Sequence, residues 1–106
     1  MVMDILLNAK TALLAALVGG PGFGLELIDR VSARTLGLVK LNQGSVYPAL
    51  RALEQDGLVR SYDGETNEDR GGRPRRYYEL TGDGVVAARR QRKALMGLLK
   101  PVEVLP

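Results

Sequence analysis

Gln43, Tyr47 and Arg51 recur at i, i+4 and i+8, a spacing that sets an amide, a phenol and a guanidinium in one row along a helix. The chemistry open to such a row is recognition by hydrogen bonding. A glutamine pairs bidentately with adenine and an arginine with guanine. A second cluster, Arg73, Arg75 and Arg76, gathers three guanidiniums within four residues and suits phosphate or minor-groove contact. Catalysis is poorly served. The chain has no histidine and no cysteine, which removes the usual general base, metal ligand and pH switch together. Its acidic residues are scattered over turns and outer faces, without paired placement. No catalytic residue, metal or cofactor is expected, and an enzyme is the disfavoured class.

The row must be held by a short helix. Val46, Leu50, Leu53 and Gly57 fall at i, i+4, i+7 and i+11 on another side, and Val46, Leu50 and Leu53 are the large apolar residues able to anchor it. Asn42 is a good N-cap, because its side chain accepts from a backbone N–H two or three residues on. Pro48 removes the N–H that would bond to the Gly44 carbonyl, so the first turns should be loosened or slightly bent. The helix is expected over 43–56. Its N-terminus carries partial positive charge and free N–H groups and should point at DNA. Gln43 and Gly44 then lie nearest the bases, with Gly44 admitting close backbone approach. Each residue has a plainer reading. Tyr47 either reaches a base edge or phosphate, or braces the helix as a half-buried ring. Ser45 and Gln43 either touch DNA or are ordinary polar residues of a first turn. Arg51, two turns in, suits phosphate better than a base.

The arginine cluster opens the second arm of a hairpin. Residues 58–63 and 73–80 read as strands, joined by the polar, glycine-bounded stretch 64–72. Pro74 should sit at an unpaired edge position. Strand alternation gives Arg73 and Arg75 one face and Arg76 the other. Tyr77 and Tyr78 likewise point oppositely, and one of them should be core. Glu65, Glu68 and Asp69 oppose only Arg70 at the tip, so the base of the hairpin, rather than its tip, should meet a phosphate backbone.

Around these lie three further helices. Residues 3–18 carry apolar side chains nearly all round, with Leu7 and Leu14 adding a second apolar side, which marks a helix buried on two fronts. Gly19-Gly20-Pro21-Gly22 is a connector and lacks a phosphate-loop pattern. Residues 23–35 form the second helix, with Gly24, Leu27, Ile28 and Val31 inward and Gly37 closing it as the C′ residue. Residues 38–41 are a short extended piece. Thr81 caps a last helix that runs to about Lys100, where Pro101 ends it, and 102–106 is a frayed tail. The order helix, helix, short strand, helix, strand, strand, helix predicts a mainly α chain with a small β-hairpin (α+β), the winged helix-turn-helix arrangement. Residues 1–80 would be the DNA-binding part and 81–106 the dimerisation helix and tail.

At 106 residues the chain is one domain, and hydrophobic residues make up 45% of it, more than a small monomer usually needs. A homodimer through the first and last helices is expected, with Leu6, Leu13, Leu17, Leu95, Met96 and Leu99 at the interface. Arg92 completes a mostly apolar stripe with Val85, Ala88, Leu95, Met96 and Leu99. Net charge is +3, but residues 70–93 hold eight basic groups against two acidic ones, a local +6. Arg89, Arg90, Arg92 and Lys93 belong to it, either as electrostatic footprint or as a solvated helix side. An excess of that size favours a polyanionic partner. The absence of cysteine fits a reducing cytoplasm. No apolar run approaches the roughly 18 residues of a membrane span, and Asp4 stands where a signal peptide needs positive charge.

From Phe23 to Gly84 the chain resembles the PadR family of bacterial transcriptional regulators. Phe23-Gly24-Leu25-Glu26-Leu27-Ile28 is similar to the family's opening of the second helix, with Phe for Tyr. Gly44-Ser45-Val46-Tyr47-Pro48-Ala49-Leu50, with Leu53-Glu54 and Gly57-Leu58-Val59, is similar to its recognition helix. Gly72-Arg73-Pro74-Arg75-Arg76-Tyr77-Tyr78-Glu79-Leu80-Thr81, with Gly84, is similar to its wing. The resemblance implies a homodimeric DNA-binding repressor of the short branch, with one helix after the wing. Members that hold flat aromatic drugs stack them on a tryptophan of the last helix, and this chain has none, so a small-molecule effector finds no support here. The expected partners are a second copy and a palindromic double-stranded operator whose half-sites lie roughly 34–36 Å apart. The rival reading is a winged-helix module that binds protein or RNA without operator specificity.

Overall fold

The structure is a computed structural model that describes residues 8–66 and 70–101. The elements, numbered along the chain, are α1 (Ala9–Leu17), β1 (Gly22–Phe23), α2 (Gly24–Arg34), α3 (Gln43–Gln55), β2 (Val59–Thr66), β3 (Pro74–Leu80) and α4 (Gly82–Leu99). The expected α+β winged helix-turn-helix is present. The first helix, expected over 3–18, begins at Ala9, where the Asn8 side chain caps it by accepting from Thr11 N–H at 2.9 Å; residues 3–7 of that expectation and the tail 102–106 lie outside the described residues.

One core joins the helices to the hairpin. Leu13, Leu27, Val46 and Leu50 are fully enclosed, with Val31, Val39, Leu53 and Val59 nearly so. The helical spacing of Val46, Leu50 and Leu53 fixes the face that α3 buries. α1 buries Ala12, Leu13, Leu14, Ala16 and Leu17, so its two apolar sides are consumed within the protomer, against α2, α3, β3 and α4.

Two expectations are corrected. Residues 38–41 form no strand. The third strand is instead β1, which precedes α2 and pairs antiparallel with β3 through Gly22↔Tyr78 and Phe23↔Tyr77. The sheet order is β1-β3-β2. β3 is therefore central and not an edge. Pro74 is tolerated because it is the first residue of β3, beyond the reach of the two-residue β1. Gly37 is also not the C′ residue of α2. Leu36 takes that place with φ 55°, and Gly37 follows at φ 77°. Gly37 N–H donates to the Ser32 carbonyl at 2.7 Å and Leu36 N–H to that of Ala33 at 3.3 Å, the paired bonds of a Schellman closure.

The hairpin register runs from Val59↔Leu80 to Asp63↔Arg76, with an irregularity before Thr66↔Pro74. β2 thus extends three residues past its expected end at 63. The join between hairpin and α4 is close. Thr81 N–H donates to the Leu58 carbonyl at 3.0 Å, and the Thr81 hydroxyl donates to the Gly57 carbonyl at 2.6 Å while accepting from Gly84 N–H at 3.0 Å. Gly84 is buried against Leu58, and a Cβ there would run into the Leu58 carbonyl oxygen.

Candidate nucleic-acid interface

The start of α3 is held by a reciprocal cap. Asn42 Oδ1 accepts from Ser45 N–H at 3.0 Å, and Asn42 N–H donates to Ser45 Oγ at 3.4 Å. Ser45 Oγ also donates to the Asn42 carbonyl at 3.0 Å. Its hydroxyl is thus engaged by the helix start, which favours the plainer reading of Ser45. Gln43, Gly44, Tyr47 and Arg51 all lie at the exposed surface, opposite buried Val46, Leu50 and Leu53. The row anticipated from the spacing exists.

Tyr47 is seated as well as exposed. Its ring lies over Gly24 at the start of α2, where a Cβ would stand 2.6 Å from its oxygen and 2.7 Å from Cε1 and Cζ. The absence of a side chain at Gly24 is what lets the ring sit there, since a Cβ would displace it. Tyr47 retains 38% exposure, so it braces α3 against α2 and still presents part of its ring outward.

Beside it stands Tyr78 of β3, half-buried against the core. Burial pushes its phenol above the ordinary range, the Arg76 guanidinium pulls it back, Glu54 and Tyr47 add to the rise, and Arg51 opposes it. Tyr78 is neutral at physiological pH. Tyr78 and Arg76 share one hairpin face with Ser61 and Asp63, their partners on β2. Ser61 Oγ donates to Glu54 Oε2 at 2.6 Å and ties β2 to α3 at this point. An α3 row and one wing arginine therefore share one surface.

The other arginines part company. On β3, Arg76 shares a face with Tyr78 and Leu80, and Arg75 with Tyr77 and Glu79. Arg76 lies 3.5 Å from Asp63 across the hairpin, an exposed pair that contributes little. Arg75 lies on the outer face, its Cζ 4.2 Å from the centre of the Phe23 ring. That ring meets Tyr77 edge-on at 5.5 Å, and Tyr77 stacks on Tyr62 at 5.7 Å. Arg73 precedes the strand, and its Nε donates to the Arg70 carbonyl at 3.1 Å. Sequence reasoning missed this outer aromatic cluster. Its signal was available, since the antiparallel hairpin sets Tyr62 opposite Tyr77, but Phe23 is delivered by a strand too short to show periodicity.

Among the residues expected at a dimer interface, Leu13 and Leu17 are corrected. They are 0% and 3% exposed within the protomer and have no surface left for a partner. Leu6 lies outside the described residues. Leu95 is half-buried, while Met96 and Leu99 are 58% and 69% exposed on α4. A groove of about 690 Å³ runs beside them, with Val18, Leu80, Val85, Ala88, Leu95 and Met96 among its walls. Among the described residues no helix is long and apolar enough to cross a membrane.

Residues 13–90 match the profile of the transcriptional regulator PadR-like family. No curated protein matches the chain. Among solved structures, the chain is similar to a transcriptional regulator from Clostridium thermocellum, at 24% identity and TM-score 0.68 over 87% of this chain and 90% of that one. It is similar to a PadR-like transcriptional regulator from Bacillus cereus, at 20% identity and TM-score 0.68 over 93% and 87%. It is also similar to Pex from Synechococcus, at 28% identity and TM-score 0.64 over 84% and 83%.

Proposed function

Because this chain belongs to the PadR-like family of transcriptional regulators, which bind DNA, we propose that it is a homodimeric repressor that reads a palindromic operator. α3 lies in the major groove, with Gln43 and Gly44 nearest the bases, Tyr47 beside them and Arg51 on the backbone. The hairpin 58–80 meets the backbone or minor groove through Arg73, Arg75 and Arg76. Arg89, Arg90, Arg92 and Lys93 widen the field that draws DNA in. Residues 81–106 supply the dimer contact, through Leu95, Met96 and Leu99 of α4, in the cytoplasm. The observation that carries the reading is the 2.6 Å bond from Ser61 Oγ to Glu54 Oε2, which ties the hairpin face that carries Tyr78 and Arg76 to the helix whose outward row is Gln43, Tyr47 and Arg51.

Selection from a random duplex library tests this. A palindromic motif should emerge, its affinity should fall steeply with salt, and Gln43→Ala should weaken the selected duplex far more than random duplex. Weak, salt-insensitive binding without a motif would favour the protein- or RNA-interaction module instead.

A further inference from the structure

We infer that Phe23 is a positioning residue for DNA binding, its ring holding the Arg75 guanidinium ready for the phosphate backbone. This rests on the reading of the chain as a DNA-binding protein. Phe23 is the last residue of β1 and the N-cap residue of α2, yet its side chain makes no capping bond. Its ring is instead fixed from two sides. Pairing of Phe23 with Tyr77 sets the backbone, and the edge-on contact with Tyr77 at 5.5 Å sets the ring plane. Tyr77 is braced in turn by Tyr62, and Gly64 leaves the room that Tyr77 occupies, since a Cβ there would strike its ring.

Arg75 rests on this platform, 4.2 Å from the ring centre. Among the described residues it has no carboxylate within ion-pair distance, whereas Arg60 has Glu79 at 2.9 Å and Arg76 has Asp63 at 3.5 Å. A cation held over a ring face is attracted by the ring without spending a hydrogen bond, so the guanidinium keeps its N–H donors for a phosphate. A long side chain that is already ordered loses less freedom when it makes that contact. Arg75 and Arg76 lie on opposite faces of β3, which suits a hairpin that enters a groove edge-on with a strand of backbone on either side.

The test is a double-mutant cycle on random duplex DNA, read by fluorescence anisotropy over a range of salt. Phe23→Leu keeps an apolar side chain and removes the π face. It should weaken binding about two- to fivefold, the strength of an exposed cation–π contact, equally on selected and random duplex. Phe23→Tyr should bind as the parent does. Arg75→Ala should weaken binding and lower the salt slope by about one unit, and Phe23→Leu should then cost nothing more. The inference is overturned if Phe23→Leu weakens binding equally with and without Arg75, for then it acts through the fold. An unchanged salt slope in Arg75→Ala would also overturn it, as would a Phe23→Leu variant that binds like the parent. Failure of the underlying reading looks different: the parent itself would show no salt-dependent binding to any duplex.

Discussion

Replacing Gly24 by alanine separates seating from stability. The new methyl carbon would stand 2.6–2.7 Å from three atoms of Tyr47, whereas comfortable carbon contacts begin at about 3.5 Å. The ring must therefore retreat by about 1 Å. It has somewhere to go, because Tyr47 is 38% exposed, so the ring swings outward and the backbone stays in place. Stability changes little. Lost ring packing is set against the roughly 0.4–1 kcal/mol that alanine gains over glycine by restricting the unfolded chain, for a net within about 1 kcal/mol. DNA binding is less forgiving. A hydrogen bond spans only about 2.7–3.2 Å, so a displacement of that size removes a base contact worth roughly 1–3 kcal/mol. Anisotropy on the selected duplex should show a loss comparable to that of Tyr47→Ala, while thermal melting is nearly unmoved. In a Tyr47→Ala background the alanine at 24 should have no effect on affinity. Parental affinity for Gly24→Ala would refute the reasoning, as would a loss that persists without the ring.

Leu36→Gly should stabilise the fold by up to about 1 kcal/mol: leucine at φ 55° carries a left-handed cost of roughly 1–2 kcal/mol, offset in part by the roughly 0.4–1 kcal/mol that glycine's freer unfolded chain costs, and its side chain, 90% exposed, gives up almost no burial; thermal melting should rise by up to about 4–8 °C. Gly84→Ala should destabilise by about 3 kcal/mol or more, read by urea denaturation, since its methyl group meets a backbone oxygen that cannot turn aside. Sedimentation at micromolar concentration should show two chains for the parent and one for the Leu95→Asp, Leu99→Asp double variant; a variant that stays paired would move the interface off this face of α4.

Much of the fold was legible because apolar spacing is a strong signal where a helix has one buried side. Val46, Leu50 and Leu53 set the register of α3 by their spacing alone, and Asn42 and Thr81 mark helix starts that the structure confirms. Three features escaped. β1 is two residues long, shorter than any period. The C′ position of α2 fell to Leu36 although a glycine, the residue that suits it, lay next door. Leu13 and Leu17 were assigned to a partner chain because apolarity does not distinguish burial within a protomer from burial between protomers. In the candidate interface, the outward row followed from the same register, but the seat under Tyr47 did not. It depends on an absent side chain at Gly24, twenty-three residues away.

The junction at Gly57 and Leu58 fastens the hairpin, α3 and α4 at one point. Three groups bear on its two carbonyls: the Thr81 amide, the Thr81 hydroxyl and the α-carbon of Gly84. The start of α4 is therefore fastened beside the far end of α3 with little slack between them. α3 spans 13 residues, about 20 Å at 1.5 Å per residue. A rotation of only about 5° about this junction would sweep its N-terminus, where Gln43 lies, through nearly 2 Å, several times the roughly 0.5 Å window of a hydrogen-bonded contact. In a dimer clasped through α4, a small change in how the two clasping helices cross would throw both reading heads out of register at once.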